Sequence, residues 1–172
     1  MGHTFYDGTI VVVRAILNSL SHILHQAELQ PNSSTLLQAR LYEDMYPLTD
    51  QVRLATQFSE NLVARVTGRE PVTFPGSPTS FAQFYERIDT VLKALDEADK
   101  DTVNQQADIL GPTKLGPDKT AEMNAATYAH LIALPNIYFH LSTAYGILRK
   151  EGVSLGKLDY YAGFVPQLAG GQ

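Results

Sequence analysis

Residues Tyr6 to Glu28 read YDGTIVVVRAILNSLSHILHQAE. Within this stretch Ile10, Val13, Leu17, Leu20, Leu24 and Ala27 recur at alternating spacings of three and four. That rhythm matches the helical period of about 3.6 residues and predicts a helix whose apolar seam packs inside a bundle. Val12, Ile16 and Ile23 widen the buried arc. Arg14, Asn18, Ser21, His22, His25 and Gln26 fall on the other side, where a solvated surface is expected.

Three further segments repeat the pattern. Gln30-Pro31-Asn32-Ser33-Ser34 ends the first helix, and a short helix is expected over Ser34 to Leu41. Pro47 suits the first turn of the next long helix, which should stop at Gly68. Its core face is Leu48, Val52, Ala55, Phe58, Leu62 and Val66, with Gln51 and Ser59 on the same arc. Arg69 to Thr79 holds three prolines and a glycine and reads as a loop. Ser80 and Gln83 have capping-box spacing and open a third helix running to about Ala98. Phe81, Phe84, Ile88, Val91 and Leu95 lie on its inner arc, with Gln83, Glu86, Arg87 and Asp89 opposite. Residues Asp99 to Lys119 read as irregular, with a weakly signalled hairpin between turns. A fourth helix is expected from Asn124 to Lys150, apolar nearly all round from Leu131 to Leu148, most buried of all, and either kinked or locally adjusted at Pro135. The tail from Val153 is expected to lie along the bundle and become disordered from about residue 162. The architecture expected is all-α: one four-helix-bundle domain spanning residues 1–172, with a short extra helix and an irregular C-terminal tail.

Composition narrows the function classes. The 172 residues carry a net charge of −5, which argues against nucleic-acid partners. No cysteine is present, excluding disulfides, thiolate metal sites and a thiol nucleophile. The run Ile10 to Val13 is too short for a signal-peptide core and meets Arg14 at once. No uninterrupted run approaches the ~20 apolar residues of a membrane span, so a cytoplasmic protein without membrane contact is expected. Phosphate-binding, dinucleotide-binding, nucleophile-elbow and H-E-x-x-H motifs are all missing.

His140 is the residue of most interest. It shares a helical stripe with Ala129, Ala133, Asn136, Ile137, Ala144 and Ile147, and Asn136 lies four residues before it. Gln51 also faces inward. Three polar groups pointing into one bundle line a small-molecule pocket or form a buried polar network; the spacing allows both. Tyr145 is a further candidate flank. Arg40 and Asp44 read either as an i,i+4 pair, with Asp44 alternatively capping the Pro47 helix, or as a charged rim at a pocket mouth. Tyr42, Tyr46, Tyr85, Tyr138, Tyr145, Tyr160 and Tyr161 suit core packing with one polar end.

Two stretches carry a resemblance: Ala39-Arg40-Leu41-Tyr42-Glu43-Asp44-Met45-Tyr46-Pro47-Leu48, and Leu134-Pro135-Asn136-Ile137-Tyr138-Phe139-His140 continuing through Thr143-Ala144-Tyr145-Gly146-Ile147-Leu148-Arg149. Together they resemble a family of bacterial and fungal proteins classed as a domain of unknown function and related to the DinB/YfiT-like four-helix bundles. The resemblance implies four helices, frequent dimers, and in many relatives a divalent metal on three histidines. Two of those ligand positions fall at Asn136 and His140, and the third near Gln51 to Ala55, where no histidine stands. One imidazole of three remains, so no metal and no cofactor are expected, and the thiol-transferase activities of metal-bearing relatives are not carried over.

The expectation is a metal-free pocket for a small apolar ligand, bordered by Asn136, Gln51, Tyr145, Asp44 and Arg40. In an enzymatic version His140 is the general acid or base of a cofactor-independent isomerisation, dehydration or cyclisation. The alternatives are a non-catalytic dimeric structural or interaction protein, and a degenerate metalloprotein holding an ion on His140 with carboxylates or amides.

Overall fold

The computed structural model describes residues 2–116 and 118–166, and the expectation of a disordered tail lies outside them beyond residue 166. Helix α1 spans Phe5–Glu28 and starts in a capping box: Asp7 N–H donates to Thr4 Oγ1, while Thr4 N–H donates to the Asp7 carboxylate. The Thr4 hydroxyl, and after it the Thr4 N–H, both donating to the carboxylate, hold the Asp7 pKa down to about 2. A single-turn helix α2 covers Ser33–Leu36, shorter than the expected Ser34 to Leu41. Helix α3 spans Leu48–Thr67 with Pro47 as its N-cap, and Gly68 closes it at φ 71°, the left-handed conformation glycine adopts without penalty. Helix α4 spans Phe81–Asp96.

The segment read as irregular holds real structure. Helix α5 covers Lys100–Gln106, capped by Asp99. Strands β1, Leu110–Gly116, and β2, Lys119–Asn124, form an antiparallel hairpin pairing Leu110 with Asn124 and Thr113 with Ala121. The fourth long helix has three parts: α6 (Ala125–Tyr128), a π-helical turn (Ala129–Ala133) and α7 (Leu134–Lys150). The wide turn sits just before Pro135, the residue without an N–H to offer, and is the local adjustment expected there as the alternative to a kink.

The four long helices form a ring: α3 packs against α7 and α4, and α1 packs against the same two from the other side. Ile10, Val13, Leu17, Leu20 and Leu24 of α1 meet Val52, Ala55 and Leu62 of α3, Phe84, Ile88 and Val91 of α4, and Ile137, Leu141 and Leu148 of α7 in one core. Helix α8, Lys157–Tyr160, lies on α1 and brings the chain end back. There Gly163 N–H donates to Ser19 Oγ, and a Cβ at Gly163 would collide with the Ala15 carbonyl and the Ser19 amide. By length and composition, α1 and the Ala125–Lys150 helix are apolar enough to cross a membrane, which the count of uninterrupted apolar residues did not reveal. In this fold their apolar seams are spent on the bundle core.

Two expectations about exposure are corrected. The Leu131 to Leu148 stretch is not buried all round: Leu131 is 73% and Phe139 54% exposed. Arg87, placed on the outer face of α4, is only 7% exposed, because the proline-rich strap after α3 folds over it.

Candidate functional site

The α3–α7 seam brings His140 and Gln51 together. Gln51 lies in the first turns of α3, and its Nε2 donates to the Tyr46 carbonyl at 2.9 Å. That bond fixes the amide's orientation, so Oε1 faces the imidazole and accepts from His140 Nδ1–H at 2.8 Å. The proton of the neutral ring therefore resides on Nδ1, and Nε2 carries the lone pair. Nε2 has no hydrogen-bond partner among the described residues. Phe58 stacks parallel to the ring at 5.8 Å and Phe139 meets it edge-on at 5.3 Å. His140 is 6% exposed. Burial, and after it the Arg53 charge, hold its pKa down to about 4, so the ring is neutral at pH 7.

The other expected site residues lie elsewhere. Asn136 Nδ2 donates to the Ile132 carbonyl at 2.7 Å, so it braces the π-helical turn. Tyr145 packs edge-on against Tyr160 at 5.9 Å. It belongs to the aromatic group that receives the chain end, where Tyr138 and Tyr160 both stack on Phe164. Arg40 is exposed and donates to the Met45 carbonyl, while its own carbonyl accepts from Lys150. Asp44 is exposed; it neither pairs with Arg40 nor caps α3, whose N-cap Pro47 has no side-chain bond. Of the two outer histidines, His22 bonds Asp159 at 2.8 Å and His25 stacks on Tyr85 at 4.2 Å.

The alanine stripe does not border an open space, since Ala129, Ala133 and Ala144 are buried in the core. A cleft of about 610 Å³ lies nearby, between α3, the hairpin and the π-helical turn. Phe58, Asn61, Arg65, Lys114, Tyr128 and Ile132 are among its walls. Phe58 is thus common to the cleft and to the His140 stack. Arg65 holds the hairpin on α3 by donating to the Gly111 and Met123 carbonyls.

A second polar centre, which the helical wheel missed, lies beneath the strap of residues 69–79. Glu60 is 2% exposed and accepts from both terminal nitrogens of Arg69 and from Val72 N–H. Gln57 holds Phe74 N–H and the Val72 carbonyl. Arg87 Nη2 donates to the Pro75 and Gly76 carbonyls, and its guanidinium lies 5.1 Å from the Phe74 ring centroid. The sequence signal was the length of this loop and its three prolines, which favour an ordered strap over a loose connection.

Family and structural comparisons agree with this architecture. The family model described as "Domain of unknown function (DUF1993)" matches residues 5–161. The chain belongs to the DUF1993 family. A solved structure of a DinB family member from Shewanella denitrificans is similar: 33% identical, covering 91% of this chain and 90% of that chain, with a TM-score of 0.81. No curated protein matches the chain. The DUF1993 chain is therefore a DinB-like helical bundle.

The metal of DinB relatives does not fit the residues present here. Among the described residues, no three His, Asp or Glu side chains cluster as a ligand set. Asn136 is turned to backbone, and Gln51 is spent between Tyr46 and His140. The Arg53 charge acts on the one remaining imidazole, which makes the site unfavourable for a cation as well.

Proposed function

We propose that this DUF1993 chain binds a small, largely apolar molecule bearing one N–H or O–H donor, with His140 Nε2 as the acceptor. The observation that carries this reading is the oriented, neutral imidazole. Gln51 locks the proton on Nδ1, leaving the Nε2 lone pair without a protein partner among the described residues. A ligand donor there gains strength from the apolar rings of Phe58 and Phe139 beside the imidazole. The cleft of about 610 Å³ is the entrance this reading uses, with Phe58 swinging to admit the ligand. Acid–base catalysis by His140 is the enzymatic version. With the ring neutral at pH 7 it serves as a base toward a bound substrate, at some cost in strength, because the best catalytic pKa lies near the operating pH. The direct test is NMR titration with indole and phenol, following the His140 imidazole nitrogens. Saturable binding should move the Nε2 resonance and vanish in H140A, while Y145F binds normally. Affinity unchanged in H140A would defeat the proposal.

A second reading, a homodimer, is favoured by one surface. Leu131, Pro135 and Phe139 stand four residues apart on an exposed face of the fourth helix. A second copy of this chain is the partner this reading assigns to them. Sedimentation of the wild type and of a Leu131→Glu, Phe139→Glu double variant tests it. A dimer that becomes a monomer supports the reading, and a wild-type monomer at high micromolar concentration removes it.

A further inference from the structure

The α3–α4 seam carries a feature that neither the fold nor the His140 centre uses. Arg87 is more than nine-tenths buried, yet its Nη1 has no hydrogen-bond partner. No carboxylate within ion-pair distance neutralises Arg87 among the described residues, whereas Arg14, Arg53 and Arg69 each have one. A cleft of about 500 Å³ opens beside it, walled by Arg53, Gln57, Asn61, Thr73, Ser77 and Arg87 among others. No acidic side chain lines this cleft. Asp50, outside it, accepts from Arg53 Nε at 2.7 Å and from Ser77 Oγ at 3.1 Å. It holds the Arg53 guanidinium by one edge only.

Burying a guanidinium without a counter-charge is expensive, and arginine does not escape by losing its proton. A second cation nearby raises the cost. Consistently, burial first and the Arg53 charge second push Arg87 below the usual arginine range. An anion between the two would supply the counter-charge that Arg87 lacks. The strap carbonyls of Pro75 and Gly76 hold Nη2 and so fix the plane of the guanidinium. Nη1 is left without a partner and without solvent contact.

We propose that the cleft between α3, α4 and the 72–77 strap binds the oxyanion headgroup, carboxylate or phosphate, of a small molecule, held between Arg53 and Arg87. Gln57 and Asn61 are committed to each other through an Nε2–Oδ1 bond of 3.0 Å, so the charge recognition falls to the two arginines. Thr73 supplies a hydroxyl group at the rim, while that of Ser77 is committed to Asp50. This site is distinct from the His140 centre and does not depend on it.

The test is thermal unfolding in sodium phosphate, sodium acetate and sodium hexanoate, each against sodium chloride at matched ionic strength. Wild type should show a saturable rise in Tm over millimolar oxyanion beyond that of chloride. Phosphate above the carboxylates identifies a phosphate headgroup, and hexanoate above acetate an organic acid. General salting effects act alike on variants, so the decisive quantity is the difference between proteins. Arg53→Gln should weaken the apparent affinity at least tenfold. Arg87→Lys, which keeps the charge but not the fork of donors, should do the same. H140A and Lys114→Gln should respond as wild type. Arg53 is partly exposed, so R53Q folds and decides the matter even where R87K does not. Equal responses in wild type and R53Q, or no rise beyond chloride in wild type, would overturn the proposal.

Discussion

His140 and Arg87 sit in two seams made by the same helix, α3–α7 and α3–α4, and both are more than nine-tenths buried. The bundle treats them differently. The imidazole sheds its charge at modest cost, and one amide from Gln51 satisfies the Nδ1–H that remains. The guanidinium keeps its charge, so the chain folds a strap over it, giving two carbonyls and the face of Phe74, and Nη1 is still without a partner. The imidazole finds its Nδ1–H partner within the protein, whereas the guanidinium is left without a paired carboxylate among the described residues.

The largest effect that should break this contrast is Gln51→Leu. It strands the buried Nδ1–H of His140, at about 1–3 kcal/mol, and releases the carbonyl of the exposed Tyr46. Urea unfolding should show a loss of at least about 1 kcal/mol; a loss under about 0.5 would mean the amide does not join the two segments.

The next effect is a pH dependence. In the folded chain the His140 pKa is about 4, against 6.5 for the ordinary side chain. Between those values the unfolded chain binds the extra proton, so His140's contribution is fully present above pH 6.5. It is lost as pH falls through 4, and is worth on the order of 2–3 kcal/mol. The difference in stability between wild type and His140→Phe, measured from pH 4 to pH 7, isolates it; a flat difference would contradict the assignment.

A smaller effect belongs to the cationic seam. Arg53→Gln removes the charge that disfavours Arg87 and costs only a partly exposed pair with Asp50. Its stability should stay within about 0.5 kcal/mol of wild type in oxyanion-free buffer. A loss above 1.5 kcal/mol would make Arg53 a structural prop.

Most of the fold was legible in the sequence, and part of the site. Apolar spacing located all four long helices, because burial against neighbours imposes the period on the side chains themselves. Gln51 stood out as a polar residue on an apolar arc, and His140 within an apolar helix, and they prove to be bonded partners. Periodicity speaks only of faces within one helix. It does not say that a loop will return to cover Arg87 or Glu60, nor that Tyr145 turns to Tyr160 five positions after His140. The α5 helix was hidden by its seven-residue length and polar composition. The hairpin was only weakly signalled, because its first strand contains Pro112 and two glycines. The π-helical turn depends on how Pro135 is accommodated, which the proline alone leaves open.

The central claim is a neutral His140 with its proton on Nδ1 and its lone pair on Nε2. Nitrogen-15 NMR of the imidazole, recorded from pH 4 to pH 8, tests it most directly. The account predicts a protonated Nδ1 and an unprotonated Nε2 throughout the neutral range, with titration only near pH 4. A proton on Nε2 at pH 7, or titration near 6.5, would contradict it.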